Sequence, residues 1–267
     1  MGKGIPDLIR AVDKLDADNL RGTPQTGERI TIPRKKKTGF FIDDVATEYF
    51  YTGIDEFDTV TGFPKERVSL IYGPEGVGKS TLMYNVIKSL TDQARVLYID
   101  TEAALSPERL SQLEIDVNSL DIRRDQLIED VYDAVIEGVA EYDLIIVDSL
   151  AACTFRAELV GEAADANMGI KPRIINKLCR VLPVLLTREH CTVILVNQER
   201  DRFDGMGKSI PGGKGQTYAS SLTIRLSTQA NDRFQKNKQI AGHWVTAEIR
   251  KSRVCAPFQK MKFKIFY

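Results

Sequence analysis

Histidine is nearly missing from this chain, with two in 267 residues, and tryptophan occurs once. The four cysteines, Cys153, Cys179, Cys191 and Cys255, form no Cys-x-x-Cys pair. So thin a supply of nitrogen and sulfur ligands argues against a zinc site. Cysteines spaced this way read as small buried apolar side chains in a reducing compartment. Net charge is also missing, because 37 basic residues balance 37 acidic ones. Bulk charge therefore does not drive this chain onto a polyanion, although a local basic groove is still allowed. No apolar run approaches the roughly 20 residues that a membrane helix needs. The N-terminal MGKGIPDL has no signal-peptide core. A cytoplasmic protein without a membrane partner is expected. Internal repeats and low-complexity segments are absent.

What is present is a regular alternation. Residues 1–45 stand apart: Ile5, Leu8, Ile9, Val12 and Leu15 fall at near-helical spacing, a polar stretch follows, and Arg34–Lys37 is a basic run. This reads as an arm and linker too small to bury its own core, so it must pack on its own body or on a neighbouring subunit. From residue 46 to 267 the chain reads as one core domain. Apolar strands at 68–72, 95–99, 143–147 and 192–196 alternate with helices at 80–90, 107–114, 125–140 and 171–188. That order predicts an α/β fold with a mostly parallel central sheet covered on both faces, whose ligand site lies beyond the carboxyl ends of the strands. After residue 217 the pattern changes to strands and turns (221–227, 242–251, 259–267), predicting an antiparallel C-terminal extension.

The first apolar strand runs into Gly73, Pro74, Glu75, Gly76, Val77, Gly78, Lys79 and Ser80, a complete GxxxxGK[ST] pattern between strand and helix. Glycines let the backbone turn its N–H groups toward phosphate oxygens, and the helix that follows adds its positive end. Lys79 is placed to meet the β- and γ-phosphates of ATP, and the Ser80 hydroxyl to ligate Mg²⁺. The strand Leu144–Val147 ends in Asp148, a carboxylate at the same sheet edge and a second candidate for the Mg²⁺ shell. Between them, Tyr98-Ile-Asp100-Thr-Glu102 offers two acids for activating a water, and spacing leaves Glu102 and Asp100 both open.

These segments resemble RecA-type recombinases. The resemblance is carried in order by Tyr72–Leu82, Asp100–Pro107, Val147–Ala152 with Ala157–Glu162 and Asn167–Gly169, Val196–Gln198, Pro211–Gly213 and Lys251–Phe258. It covers roughly 48–267 and implies a RecA-like P-loop ATPase. It makes Glu102 the water-activating acid, Gln198 the γ-phosphate sensor and Thr81 part of the nucleotide site. Each ATP is implied to lie between two subunits, with Lys251 and Arg253 reaching the neighbour's γ-phosphate. Arg109 stands where bacterial members carry an aromatic over the adenine, and its guanidinium plane suits stacking. The chain ends at Tyr267 without the further C-terminal domain of bacterial members, which implies a minimal, phage-type member or a trimmed chain.

The resemblance also implies two DNA loops. The first, about 158–171, carries Met168 and Gly169, with Arg173 and Arg180 following near the phosphate backbone. The second, about 200–213, carries Arg200, Arg202, Phe203, Lys208, Ile210, Gly212 and Gly213. Met168 and Ile210 suit wedging between bases, and the basic groups suit phosphates regardless of sequence. From Gln229 to Tyr267 there are nine basic residues against two acids, so zero net charge hides a basic region. The expected partners are single-stranded DNA, homologous duplex DNA and further copies of the chain in a helical filament held by the arm and the shared ATP site. Two rival readings use the same core, a regulatory relative without strand exchange and a ring-forming helicase motor.

Overall fold

A computed structural model describes residues 46–90, 93–115, 120–159, 169–201, 207–229, 231–236 and 238–266. The chain divides into two units, Met1–Val45 and Ala46–Tyr267, and every described residue belongs to the second. The expected arm helix and basic run therefore lie outside the described residues.

The elements follow one another as β1 (Tyr49–Phe50), α1 (Asp55–Asp58), β2 (Phe63–Pro64), β3 (Val68–Gly73), α2 (Lys79–Ser89), β4 (Val96–Asp100), α3 (Pro107–Gln112), β5 (Leu120–Arg123), α4 (Ile128–Gly138), β6 (Leu144–Asp148), α5 (Arg156–Leu159), α6 (Ile170–Glu189), β7 (Thr192–Gln198), β8 (Arg200–Asp201), β9 (Lys208–Ser209), α7 (Gly215–Ala219), β10 (Leu222–Ser227), β11 (Arg233–Lys236), β12 (Gln239–Ser252) and β13 (Lys260–Phe266). Nine strands make the main sheet, in the order β11-β12-β10-β3-β7-β6-β4-β5, with β13 also paired to β12. The run from β10 to β5 is parallel, and the pairs made by β12 with β10, β11 and β13 are antiparallel. β10 is thus the join, parallel to β3 on one side and antiparallel to β12 on the other.

The central strands are near-continuous apolar runs because both faces are covered. Leu144, Ile145, Ile146 and Val147 of β6 are all fully buried. On one face α2 sets Leu82 and Met83 into a cluster with Ile71, Tyr98, Ile146 and Val196. On the other, Gly138 of α4 lies against Ile145 and Leu97. There α4 packs beside α6, whose buried residues Ile175, Leu178, Cys179, Leu182, Leu185 and Leu186 recur at helical spacing. Cys153, Cys179 and Cys191 are buried, and burial pushes their thiols up to about 11, 12 and 12. That suits packing rather than reactivity. Among the described residues no helix is long and apolar enough to cross a membrane.

The carboxyl end of β3 is a tight backbone approach. A Cβ added to Gly73 would lie 2.4 Å from the main-chain oxygen of Leu226 on β10. Backbone cannot yield there as a side-chain tip would. Gly73→Ala is expected to cost about 1–3 kcal/mol, read as a drop of several degrees in the thermal unfolding midpoint.

Candidate functional site

Register places four strand ends on one line. Gly73, the last residue of β3, is paired with Gln198, the last of β7. Asp100, the last of β4, is paired with Asp148, the last of β6. Because β7 and β6 are neighbours, the glycine loop, the terminal amide and two acids share the carboxyl edge of the sheet.

The loop from Pro74 to Gly78 turns through left-handed backbone at Gly76 (φ 69°) and Gly78 (φ 95°), conformations that glycine adopts without strain. Gly78 precedes α2, so the first amides of an 11-residue helix open onto the loop. Space beside Gly76 is open, with no atom within 4 Å of an added Cβ. Lys79 is 8% exposed, and its Nζ donates to the Pro74 carbonyl at 2.7 Å and the Gly73 carbonyl at 3.3 Å. Burial lowers its pKa, with the Asp148 and Glu102 charges opposing. A buried ammonium curled over a glycine cradle beside a helix start fits a polyphosphate.

Asp148 is buried, and it accepts from the Tyr98 hydroxyl at 2.6 Å and from the Ser80 hydroxyl. Hydroxyl and carboxylate are hard oxygen donors, the kind Mg²⁺ takes. Burial raises the Asp148 carboxyl above the usual aspartate range, and the two hydroxyls and Lys79 only partly offset it. Between the unfolded and folded pKa the folded chain keeps a proton that the unfolded chain has released, so stability falls as pH rises through that interval. Asp148→Asn is therefore expected to flatten this acid-side slope and raise the melting temperature of the nucleotide-free protein at neutral pH. Mg²⁺-dependent nucleotide binding by the same variant is expected to weaken about 10- to 100-fold. Thermal unfolding across pH, with and without Mg·ATP, reads both effects.

The two acids left open by spacing behave differently. Asp100 is buried, and its carboxylate accepts the amides of Ala104 at 3.2 Å and Leu105 at 2.9 Å, closing the turn after β4. Glu102 is exposed, and its Oε1 accepts from the Ser149 hydroxyl at 3.0 Å and from the Gln198 side-chain amide at 3.2 Å. Of the pair, only Glu102 meets Gln198. Thr101 straps this turn to β6, donating to the Ser149 carbonyl at 2.7 Å and accepting its amide at 2.6 Å.

Behind Gln198 runs a buried amide pair absent from the sequence reading. Asn197 donates to the Pro211 carbonyl at 2.9 Å and to Gln216 Oε1 at 2.8 Å. Gln216 donates to the carbonyls of Pro211 at 2.6 Å and Gly213 at 3.2 Å. The end of the second loop is thereby fixed to β7. Gly212 and Gly213 take φ of 89° and 83°, and they abut Ile175 and Asn176 of α6. Gly169 (φ 118°) starts that helix, and Arg173 and Arg180 are exposed on it about 10 Å apart along the axis. The ends of both loops thus meet near the start of α6. Arg200 and Lys208 are exposed on the β8–β9 hairpin, and Ile210 is half-buried beside it. Met168, Arg202 and Phe203 lie outside the described residues, as does the side chain of Arg109 on α3.

Lys251 and Arg253 are not part of this cluster. Ser252 is paired with Leu222, which is paired with Ser69 near the amino end of β3. Four strand residues, about 13 Å, separate that level from Gly73. Lys251 donates to the carbonyls of Thr217 (2.6 Å), Tyr218 (3.0 Å) and Ser220 (2.7 Å) around the end of α7, while Arg253 reaches the Tyr218 carbonyl only at 3.5 Å. Both cations lie toward the sheet edge opposite the glycine loop of their own chain.

Comparison with known proteins points to one family. The family model for the RecA N-terminal domain matches residues 36–267. Protein RecA of Staphylococcus carnosus (strain TM300) is 31% identical over 215 residues, covering 78% of this chain and 60% of the relative. Protein RecA of Mesomycoplasma hyopneumoniae (strain 7448) is 32% identical over 232 residues, covering 84% and 68%. Protein RecA of Sulfurimonas denitrificans is 32% identical over 223 residues, covering 80% and 64%. This chain spans 60 to 68% of the length of those relatives. With all of the described unit inside the matched range, the chain belongs to the RecA family.

Proposed function

We propose that this protein is a DNA-dependent ATPase that assembles on single-stranded DNA as a helical filament and pairs that strand with a homologous duplex. The observation that supports this best is the Glu102–Gln198 contact at the edge where the glycine loop and Asp148 end, with Gln198 leading straight into the second loop. A group that meets the γ-phosphate and also moves a DNA-facing loop gives the two ligands different contacts in two states, which coupling requires.

In this reading residues 73–81 cradle the triphosphate of ATP, Lys79 neutralises its β- and γ-oxygens, and Ser80 with Asp148 holds Mg²⁺. Mg²⁺ supplies charge neutralisation and orientation of the phosphates. Glu102 takes a proton from a water held in line with the γ-phosphate. Gln198 donates its amide to that phosphate, and the exchange from Glu102 to phosphate shifts the residues after β7. Arg109 stacks on the base. Lys251 and Arg253, remote from their own loop, act on the triphosphate of an adjoining copy. Residues 1–45 dock on that copy. Arg173, Arg180, Arg200, Arg202 and Lys208 hold the strand's phosphates, while Gly169, Gly212 and Gly213 allow the loops to reshape and Met168, Phe203 and Ile210 meet the bases.

Electron microscopy and phosphate-release assays on the full chain, with and without single-stranded DNA, test this. Open helical filaments with DNA-stimulated turnover are expected. Closed rings, or monomers whose turnover ignores DNA, would overturn the proposal.

A further inference from the structure

Glu199 follows Gln198 directly, and four interactions meet on it. Its amide donates to the Gly73 carbonyl at 2.9 Å, tying it to the glycine loop. Its carboxylate takes a bidentate pair from Arg225, with Nε at 2.9 Å and Nη2 at 3.0 Å. Lys208 Nζ stands 3.5 Å from Oε2. The Glu199 side chain is 6% exposed, against 46% for Lys208. A carboxylate so enclosed must keep a counter-charge. Burial alone would raise its pKa, and the Arg225 bond and charge together with Lys208 hold it below the usual value.

The two cations are held very differently. Arg225 sits on β10 inside the main sheet, paired with Tyr72 and Glu248. Lys208 sits on a two-residue strand of the β8–β9 hairpin. Its 3.5 Å separation is longer than the 2.7–2.9 Å of a strong charge-assisted bond. Lys208 can therefore leave while Glu199 stays paired. The pair also borders a cleft of about 550 Å³ lined by Tyr72, Lys208, Ile210, Arg225 and Arg250. A phosphodiester offers an ammonium the same kind of anionic oxygen as a carboxylate does.

We propose that Glu199 is a positioning residue for strand binding: anchored on Arg225, it occupies Lys208 until a DNA phosphodiester takes that ammonium over, and the hydrogen bond from its main-chain N–H to the Gly73 carbonyl makes the exchange depend on the bound nucleotide. This rests on the reading of residues 200–213 as a DNA loop. In the ADP state Glu199 retains Lys208 and the strand is held weakly; in the ATP state the hairpin is released to the strand.

Fluorescence anisotropy with a labelled oligothymidylate, in Mg·ADP and in Mg·ATPγS, tests the exchange. Glu199→Gln is expected to tighten binding in Mg·ADP about tenfold and to leave Mg·ATPγS binding within about twofold. Glu248→Gln removes the same charge from the register partner of Arg225 and is expected to move both states equally. The gain is expected to vanish when Lys208→Gln is added to Glu199→Gln. Lys208→Gln alone, on an exposed hairpin, is expected to weaken Mg·ATPγS binding and spare Mg·ADP binding, so the exchange is tested even if Glu199→Gln does not fold. Equal shifts in both states for Glu199→Gln or Lys208→Gln, no shift at all, or a gain that survives in the double variant would overturn the inference. A wild-type protein that binds no strand in either nucleotide would remove the recombinase reading, and this inference with it.

Discussion

Glu102→Ala is expected to slow DNA-stimulated ATP hydrolysis by about 10²- to 10³-fold while Mg·ATPγS affinity, and strand affinity in its presence, stay within about twofold. The Glu102 carboxylate is exposed at the strand edge and held by two weak donors, the Ser149 hydroxyl at 3.0 Å and the Gln198 amide at 3.2 Å. Such a group is oriented without being consumed. Asp100 spends its carboxylate on the amides of Ala104 and Leu105. Asp100→Asn is thus expected to loosen the turn rather than remove the chemistry. Steady-state phosphate release at saturating DNA, set beside fluorescent-nucleotide affinity, separates the two roles. Turnover that survives in Glu102→Ala would transfer the base role elsewhere.

Arg253→Ala is expected to lower turnover about 10³-fold, the lower range for removing an arginine supplied from a neighbour. The fold is expected to hold, since among the described residues the Arg253 side chain donates only one hydrogen bond, a 3.5 Å contact to the Tyr218 carbonyl. Lys251→Ala is a poorer probe. Its ammonium gathers three carbonyls around the end of α7, so its loss mixes any catalytic effect with about 1 kcal/mol or more of local destabilisation. Melting temperature measured beside turnover distinguishes the two variants.

Much of this site was legible because its parts are local. A glycine loop between an apolar strand and a helix needs only adjacent residues, and an apolar run ending in an acid places Asp148 at the strand's end. What chemistry of that kind does not carry is pairing between distant segments. β5 escaped notice because only Leu120 of Leu120–Arg123 is buried, leaving no alternation to read. Spacing could not choose between Asp100 and Glu102, since the choice depends on amides that fold back from Ala104 and Leu105. Asn197 and Gln216 look like surface amides in sequence, yet both are fully buried. Glu199 reads as a charge ending a strand, and its partner Arg225 lies 26 residues away. No short-range signal marks either pair.

Subunit mixing tests the shared nucleotide site most directly. Glu102→Ala protomers keep Arg253, and Arg253→Ala protomers keep Glu102. If ATP is sandwiched head-to-tail between copies, random 1:1 filaments rebuild about a quarter of the junctions with both groups intact. DNA-stimulated turnover should then recover to about a quarter of the wild-type rate, far above either variant alone. A mixture no faster than the sum of its two inactive components would contradict the shared site.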